Sequence, residues 1–127
     1  MNNFIEHTHI FTEQADADDA IIVPLLVHNG PLRFIEAMVY LSDVAGSPTA
    51  VSIDLDITDG TTTNNVIAGG SIGNAAGQTR LTPDSQTDGT ADIPPDGDDN
   101  RRYEIDFNFS GGTTPTASGT LVLRFAV

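Results

Sequence analysis

The sequence predicts an all-β chain: an antiparallel two-sheet β-sandwich of seven or eight strands, jelly-roll-like or, as the alternative, immunoglobulin-like. Three observations carry this expectation. Apolar residues recur with period two rather than 3.6, turn formers punctuate the chain at short intervals, and no segment shows a long helical stripe.

In chain order, Phe4 to Thr12 alternates irregularly and reads as an N-terminal strand or arm within residues 1–12. Ala20 to Val27 is a continuous apolar run of eight residues containing Pro24. Phe34 to Ser42 sets Ile35, Ala37, Val39 and Leu41 opposite Phe34, Glu36, Met38 and Tyr40. Its β-branched and aromatic content, after the Gly30-Pro31 break, favours strand over helix. Thr49 to Thr58 is the clearest case, with Val51, Ile53, Leu55 and Ile57 on one face and Ser52, Asp54, Asp56 and Thr58 on the other. Asn65–Ala68 and Thr79–Leu81 are candidate short strands. Arg102 to Phe109 turns Tyr103, Ile105, Phe107 and Phe109 inward and Glu104, Asp106 and Asn108 outward. Thr120 to Val127 places Leu121, Leu123, Phe125 and Val127 on one face and Val122, Arg124 and Ala126 on the other, so its second face is expected to be covered.

Turns are expected at Asn29-Gly30-Pro31, Ala45-Gly46-Ser47-Pro48, Asp59-Gly60, Gly69-Gly70, Asp88-Gly89, Pro94-Pro95-Asp96-Gly97 and Ser110-Gly111-Gly112. Connections this short suit antiparallel pairing and not βαβ crossovers. Thr82 to Asn100 holds six Asp residues and almost nothing apolar, and is expected to be a long acidic, solvated loop (82–100). Residues 1–127 make a single domain, since two cores are hard to sustain at this length.

Eighteen acidic side chains against five basic ones give a net charge of −13, and all five bases are Arg. Such a chain should not coat nucleic acid, whose non-specific affinity comes from Lys and Arg contacts. Nor should it adhere to an anionic membrane. The absence of Cys excludes a disulfide scaffold, a thiolate metal site and a Cys nucleophile. Met1 to His7 lacks the basic and apolar regions of a secretory signal, and no apolar run approaches a bilayer span, so synthesis in the cytoplasm is expected.

Few residues suggest chemistry. His7 and His9 lie two apart on a strand, about 6–7 Å between Cα atoms, a spacing that could offer two nitrogens to zinc with His28 the remaining His. More simply, both are polar members of an edge strand. Asp54 to Asn65 opens like an EF-hand loop but has Asp59 where Gly is needed and Asn65 where Glu is needed. Asp96, Asp98 and Asn100 have the one-three-five spacing of calcium ligands, yet Arg101 takes the Gly position. No cofactor is expected beyond a loosely built calcium site at those three residues, and outward Asp also serves to prevent edge-to-edge association.

The carboxylate pairs Glu104 with Asp106 and Asp54 with Asp56 lie on outward strand faces, unlike glycosidase carboxylates in a cleft. No nucleophile elbow or Walker loop is present, and no enzyme activity is expected. Sugar binding would want exposed aromatic platforms; there is no Trp, and Tyr40 and Phe34 are the candidates. Arg101 and Arg102 are expected to pair with Asp96, Asp98 or Asp99, or to serve a subunit contact. Arg124, central in an apolar strand, needs a partner and is the better interface candidate.

The segments Asp18-Asp19-Ala20-Ile21-Ile22-Val23-Pro24-Leu25, Phe34 to Asp43 and Ala50 to Asp56 resemble small β-sandwich virion proteins of tailed bacteriophages, the capsid decoration, cement or minor head proteins. The likeness covers about half the chain and is one of style, Thr/Gly/Asp-rich, Cys-free and short-stranded, with no diagnostic motif. It implies a non-enzymatic structural protein on the outer capsid surface, made in the host cytoplasm. Its partners would be the major capsid protein and further copies of itself, as a trimer or dimer. Partner contacts are expected at Arg124, Arg101 and Arg102, and along the first strand at Phe4, Ile5 and Phe11. The alternative is a ligand-binding sandwich, for glycan or calcium, such as a receptor-contacting module of a virion.

Overall fold

A computed structural model describes residues 4–15, 21–24, 32–58, 63–83, 92–93 and 102–126. These form nine strands: β1 (Phe4–Ala15), β2 (Ile21–Pro24), β3 (Leu32–Ala45), β4 (Ala50–Thr58), β5 (Thr63–Ser71), β6 (Gly77–Leu81), β7 (Asp92–Ile93), β8 (Arg102–Ser110) and β9 (Thr116–Ala126). One sheet has the order β1-β9-β3-β6, with the short β7 also pairing β3, and the other has the order β2-β8-β4-β5. Every pairing is antiparallel.

The chain alternates between the two sheets as it goes: β1, β3, β6 and β9 lie in one, and β2, the β4–β5 hairpin and β8 in the other. That order is a jelly roll, which decides between the two topologies the sequence left open.

Period two explains the layers. Val51, Ile53, Leu55 and Ile57 of β4, with Tyr103, Ile105 and Phe107 of β8, form one wall of the core. Ala37, Val39 and Leu41 of β3, with Leu121, Leu123 and Phe125 of β9, form the other. Each large apolar side chain so buried contributes about 1.5–3 kcal/mol relative to exposure. Pro24 falls in β2, an edge strand, where a missing N–H costs no ladder bond on the open side.

Two expectations are corrected here. Phe34 was expected on the face opposite Ala37, but a register shift between Phe34 and Glu36 against β9 adds a residue to β3, and Phe34 becomes a core residue 1% exposed. The second face of β9 is not covered by a further layer among the described residues. Val122, Arg124 and Ala126 are half-buried there between β1 and β3.

β5 and β6 extend the short strands expected at 65–68 and 79–81. Of the long segment 82–100, the described part beyond Pro83 is β7, which joins Leu32 and Arg33 of β3; the rest of the expected acidic loop lies outside the described residues.

Candidate functional site

The outer face of the first sheet gathers the features that could meet a partner. Along β1 the alternation that turns Phe11 inward turns Phe4, Glu6, Thr8 and Ile10 outward. Register then sets Glu6 beside Arg124 and Arg124 beside Glu36 across three strands. The ion pairs follow that row. Arg124 donates from Nη2 and Nε to Glu6 Oε1 at 2.6 and 3.0 Å, and its Nη1 lies 3.3 Å from Glu36 Oε1. Arg80 of β6 donates from Nε to the other oxygen, Glu36 Oε2.

Glu6, Arg124, Glu36 and Arg80 thus form a ribbon of alternating charge across β1, β9, β3 and β6. The Arg124 guanidinium, its pKa raised first by the hydrogen bond to Glu6, also lies 5.8 Å from the centroid of the Phe4 ring.

Beside the ribbon are the large apolar residues that the described structure leaves exposed: Phe4 (52%), Ile10 (71%) and Tyr40 (41%), all on this face. Ile10 and Tyr40 flank Thr120 in register. Between them runs an open groove of about 440 Å³ walled also by Thr12, Ser42 and Ser118, with Gly119 in its floor. Bulges on both neighbouring strands, between Phe11 and Gln14 and between Leu41 and Asp43, shape it. They are tied to β9 by the Glu13 N–H donating to Ser118 Oγ (2.8 Å) and Ser42 Oγ donating to the Ser118 carbonyl (3.1 Å).

The outer face of the second sheet is of opposite character. Register sets Asp54 against Asp106 and Asp56 against Glu104. Asp54 is well supplied, accepting the Gly69 N–H at 2.6 Å and Asn108 Nδ2 at 2.9 Å. Asp56 is not. Its Oδ1 is buried without a hydrogen bond, and burial first, then Asp54, Glu104 and Asp106, raise its pKa. These carboxylates spread over a flat face, and among the described residues no group of three or more His, Cys, Asp or Glu is arranged to hold a metal ion.

The residues singled out from sequence separate on folding. Arg124 and Phe4 are brought together on the first face, whereas Arg102 lies on the second sheet and bonds Glu104 at 3.2 Å. Arg101, Asp96, Asp98, Asp99, Asn100 and His28 lie outside the described residues. Ile5 is half-buried against the core. Phe11 is 3% exposed and packs on Phe107, ring centroids 4.8 Å apart, so it is a core residue and not a surface contact.

His7 and His9 share a face as their spacing implies, but it is the inward one. The His7 ring stands edge-on to Tyr103 (5.7 Å) and Phe125 (6.0 Å), its Nε2 is buried without a hydrogen bond, and burial lowers its pKa. Sequence reading missed Glu6, Ile10, Glu36 and Arg80. The signal for Ile10 was present in the spacing Phe4-Glu6-Thr8-Ile10, which puts it on the polar side of β1.

No protein-family model and no curated protein matches the chain. Among solved structures it is similar to infectious bursal disease virus, Gx strain (TM-score 0.45, 19% identity, 97% of this chain and 32% of that one). It is also similar to the VP2 subviral particle of infectious bursal disease virus (TM-score 0.47, 17% identity, 97% and 33%). A third likeness is to T=1 particles derived from infectious bursal virus (TM-score 0.38, 17% identity, 95% and 31%). The chain spans about a third of the length of each.

Proposed function

We propose that the protein is a non-enzymatic virion structural protein, a decoration or cement protein that binds the outer surface of a capsid and stabilises it as a homo-oligomer. The observation that carries this reading is the contrast between the two sheet faces. One bears Asp54, Asp56, Glu104 and Asp106 and suits exposure to solvent. The other carries exposed Phe4, Ile10 and Tyr40 together with Arg33, Arg80 and Arg124, three of the chain's five basic residues. A surface with aromatic and Arg residues clustered among apolar ones is the composition of a protein contact. The jelly roll supports the reading as a fold used in capsids, though it also serves lectins and cupins.

The test is density-gradient fractionation of virus particles from the source of this sequence, with the chain quantified by mass spectrometry. Banding with intact particles at a copy number set by capsid symmetry is expected. Confinement to the soluble fractions overturns the proposal.

A second reading, a glycan-binding module, is favoured by the groove, where Tyr40 offers an exposed ring beside the hydroxyls of Thr12 and Ser118. Titration with a panel of oligosaccharides, read by chemical-shift changes at Thr12, Tyr40 and Ser118, tests it; no shift at these residues removes it.

A further inference from the structure

We infer that the outer face of the first sheet pairs with the same face of a second copy of this chain, about a two-fold axis parallel to the strands. The inference deepens the proposed function and rests on its homo-oligomer.

The argument begins with charge. A chain of net charge −13 repels its own copy, so association needs a face where that repulsion is locally cancelled. The second sheet, with Asp54 opposite Asp106 and Asp56 opposite Glu104, cannot supply one. The first sheet can, because its ribbon runs Glu6, Arg124, Glu36, Arg80, in alternating sign and even number. Such a ribbon is its own complement. Arg80 lies in the register row of Met38, two residues along from Glu36, but its guanidinium reaches back to Glu36. A two-fold axis parallel to the strands therefore sets Arg124 over Glu36 of the second copy and brings Glu6 toward the Arg80 guanidinium of the second copy. A two-fold across the strands sets each charge over its own kind, and is disfavoured.

The same operation covers the apolar residues. Ile10, Thr120, Tyr40 and Gln78 form one register row, so Ile10 meets Gln78 of the second copy and Tyr40 meets Thr120. Ile10 and Tyr40 are thereby removed from water. Four strands about 4.8 Å apart and about seven residues long at about 3.4 Å each give a face of about 19 by 24 Å. That is at the small end of specific interfaces, so the dimer is weak and salt-sensitive.

A charge-swap cycle read by sedimentation velocity tests this, from about 10 μM to about 1 mM chain at low salt. Glu6 and Arg80 occupy opposite ends of the ribbon and do not touch within one chain. Glu6→Arg and Arg80→Glu are each expected to weaken dimerisation about tenfold or more. The double variant restores it, because position 6 again faces the opposite charge in the second copy. Melting temperatures of dilute protein, by contrast, fall additively, since the intrachain losses are independent.

Ile10→Ser provides a second arm at an exposed position where folding is not at stake: weaker association at an unchanged melting temperature is expected. A wild-type chain that stays monomeric or forms a trimer, a double variant no tighter than its singles, or unchanged association of Ile10→Ser overturns the inference. Particle association is scored separately. A chain that bands with virions yet fails the cycle sinks only this pairing, and one that passes the cycle but never bands with virions sinks only the capsid role.

Discussion

His7 of β1 stands edge-on to Tyr103 of β8, ring centroids 5.7 Å apart and planes at 88°, and so joins the two sheets of the sandwich through a titratable ring. Burial lowers its pKa below the ordinary 6.5, because the charged imidazolium would lose hydration there and its Nε2 has no hydrogen bond to recover it. As pH falls below about 6.5 the unfolded chain takes up the proton first. Stability present above that pH is therefore lost as pH falls through the lower folded pKa. Thermal melts between about pH 7.5 and about pH 5 are expected to show this decline, and His7→Phe, which keeps the ring contacts, to flatten it. An equal decline in the variant would assign the effect elsewhere.

Gly119 sits where β9 is squeezed between two bulged neighbours. A Cβ built there would lie 1.9 Å from the Tyr40 carbonyl oxygen and 3.1 Å from the Leu41 Cα, both backbone atoms that cannot swing aside. Gly119→Ala is expected to cost about 3 kcal/mol or more, the upper range for overpacking, read as a lowered denaturation midpoint. It should also alter the groove, whose floor this residue supplies. A variant as stable as wild type would show that the bulges relax freely.

How much of this was legible in the sequence depends on whether one face decided the pattern. β4, β8 and β9 were readable because each packs one side on the core, and period two records that directly. β5 was seen only at 65–68 because Asn64, Gly69 and Gly70 are poor strand formers held in place by pairing with β4. The bulges were illegible: one extra residue after Phe34 reverses which ring is buried, and no local motif announces it. The partner of Arg124 was illegible for a different reason. The sequence shows that an isolated charge in an apolar strand needs a counterion, but Glu6 is 118 residues away and reaches it only through the order of strands in the sheet.

Asp56 marks where the acidic face costs stability. Its carboxyl faces Glu104 in register, with Asp54 and Asp106 close, and its pKa is raised by burial and by these like charges. A carboxyl with a raised folded pKa favours the fold when protonated, so that contribution is complete below the ordinary 3.8 and lost as pH rises through the folded value. Asp56→Asn is accordingly expected to stabilise the protein at pH 7 by about 0.2–1 kcal/mol, the range for relieving like charges across strands, trimmed by solvent screening. Higher salt should narrow the difference between variant and wild type. A loss of stability in Asp56→Asn would mean that the carboxylate has a favourable cationic partner.

Phe4 and Phe11, seven positions apart on one strand, divide the work of β1 between surface and core. Phe11 is buried against Phe107 from the opposite sheet, so Phe11→Ala leaves a cavity and is expected to lower stability by about 3–5 kcal/mol. Phe4 lies half in solvent over Arg124, and Phe4→Ala is expected to change stability by no more than about 0.5 kcal/mol. Association should respond in the opposite order: Phe4→Ala weakens self-association of a chain that melts normally. Phe11→Ala, measured well below its melting temperature, leaves association unchanged because its ring points away from the pairing face. Chemical denaturation and sedimentation on the same two variants separate these roles, and equal effects on stability would contradict the placement of β1 with Phe11 inward.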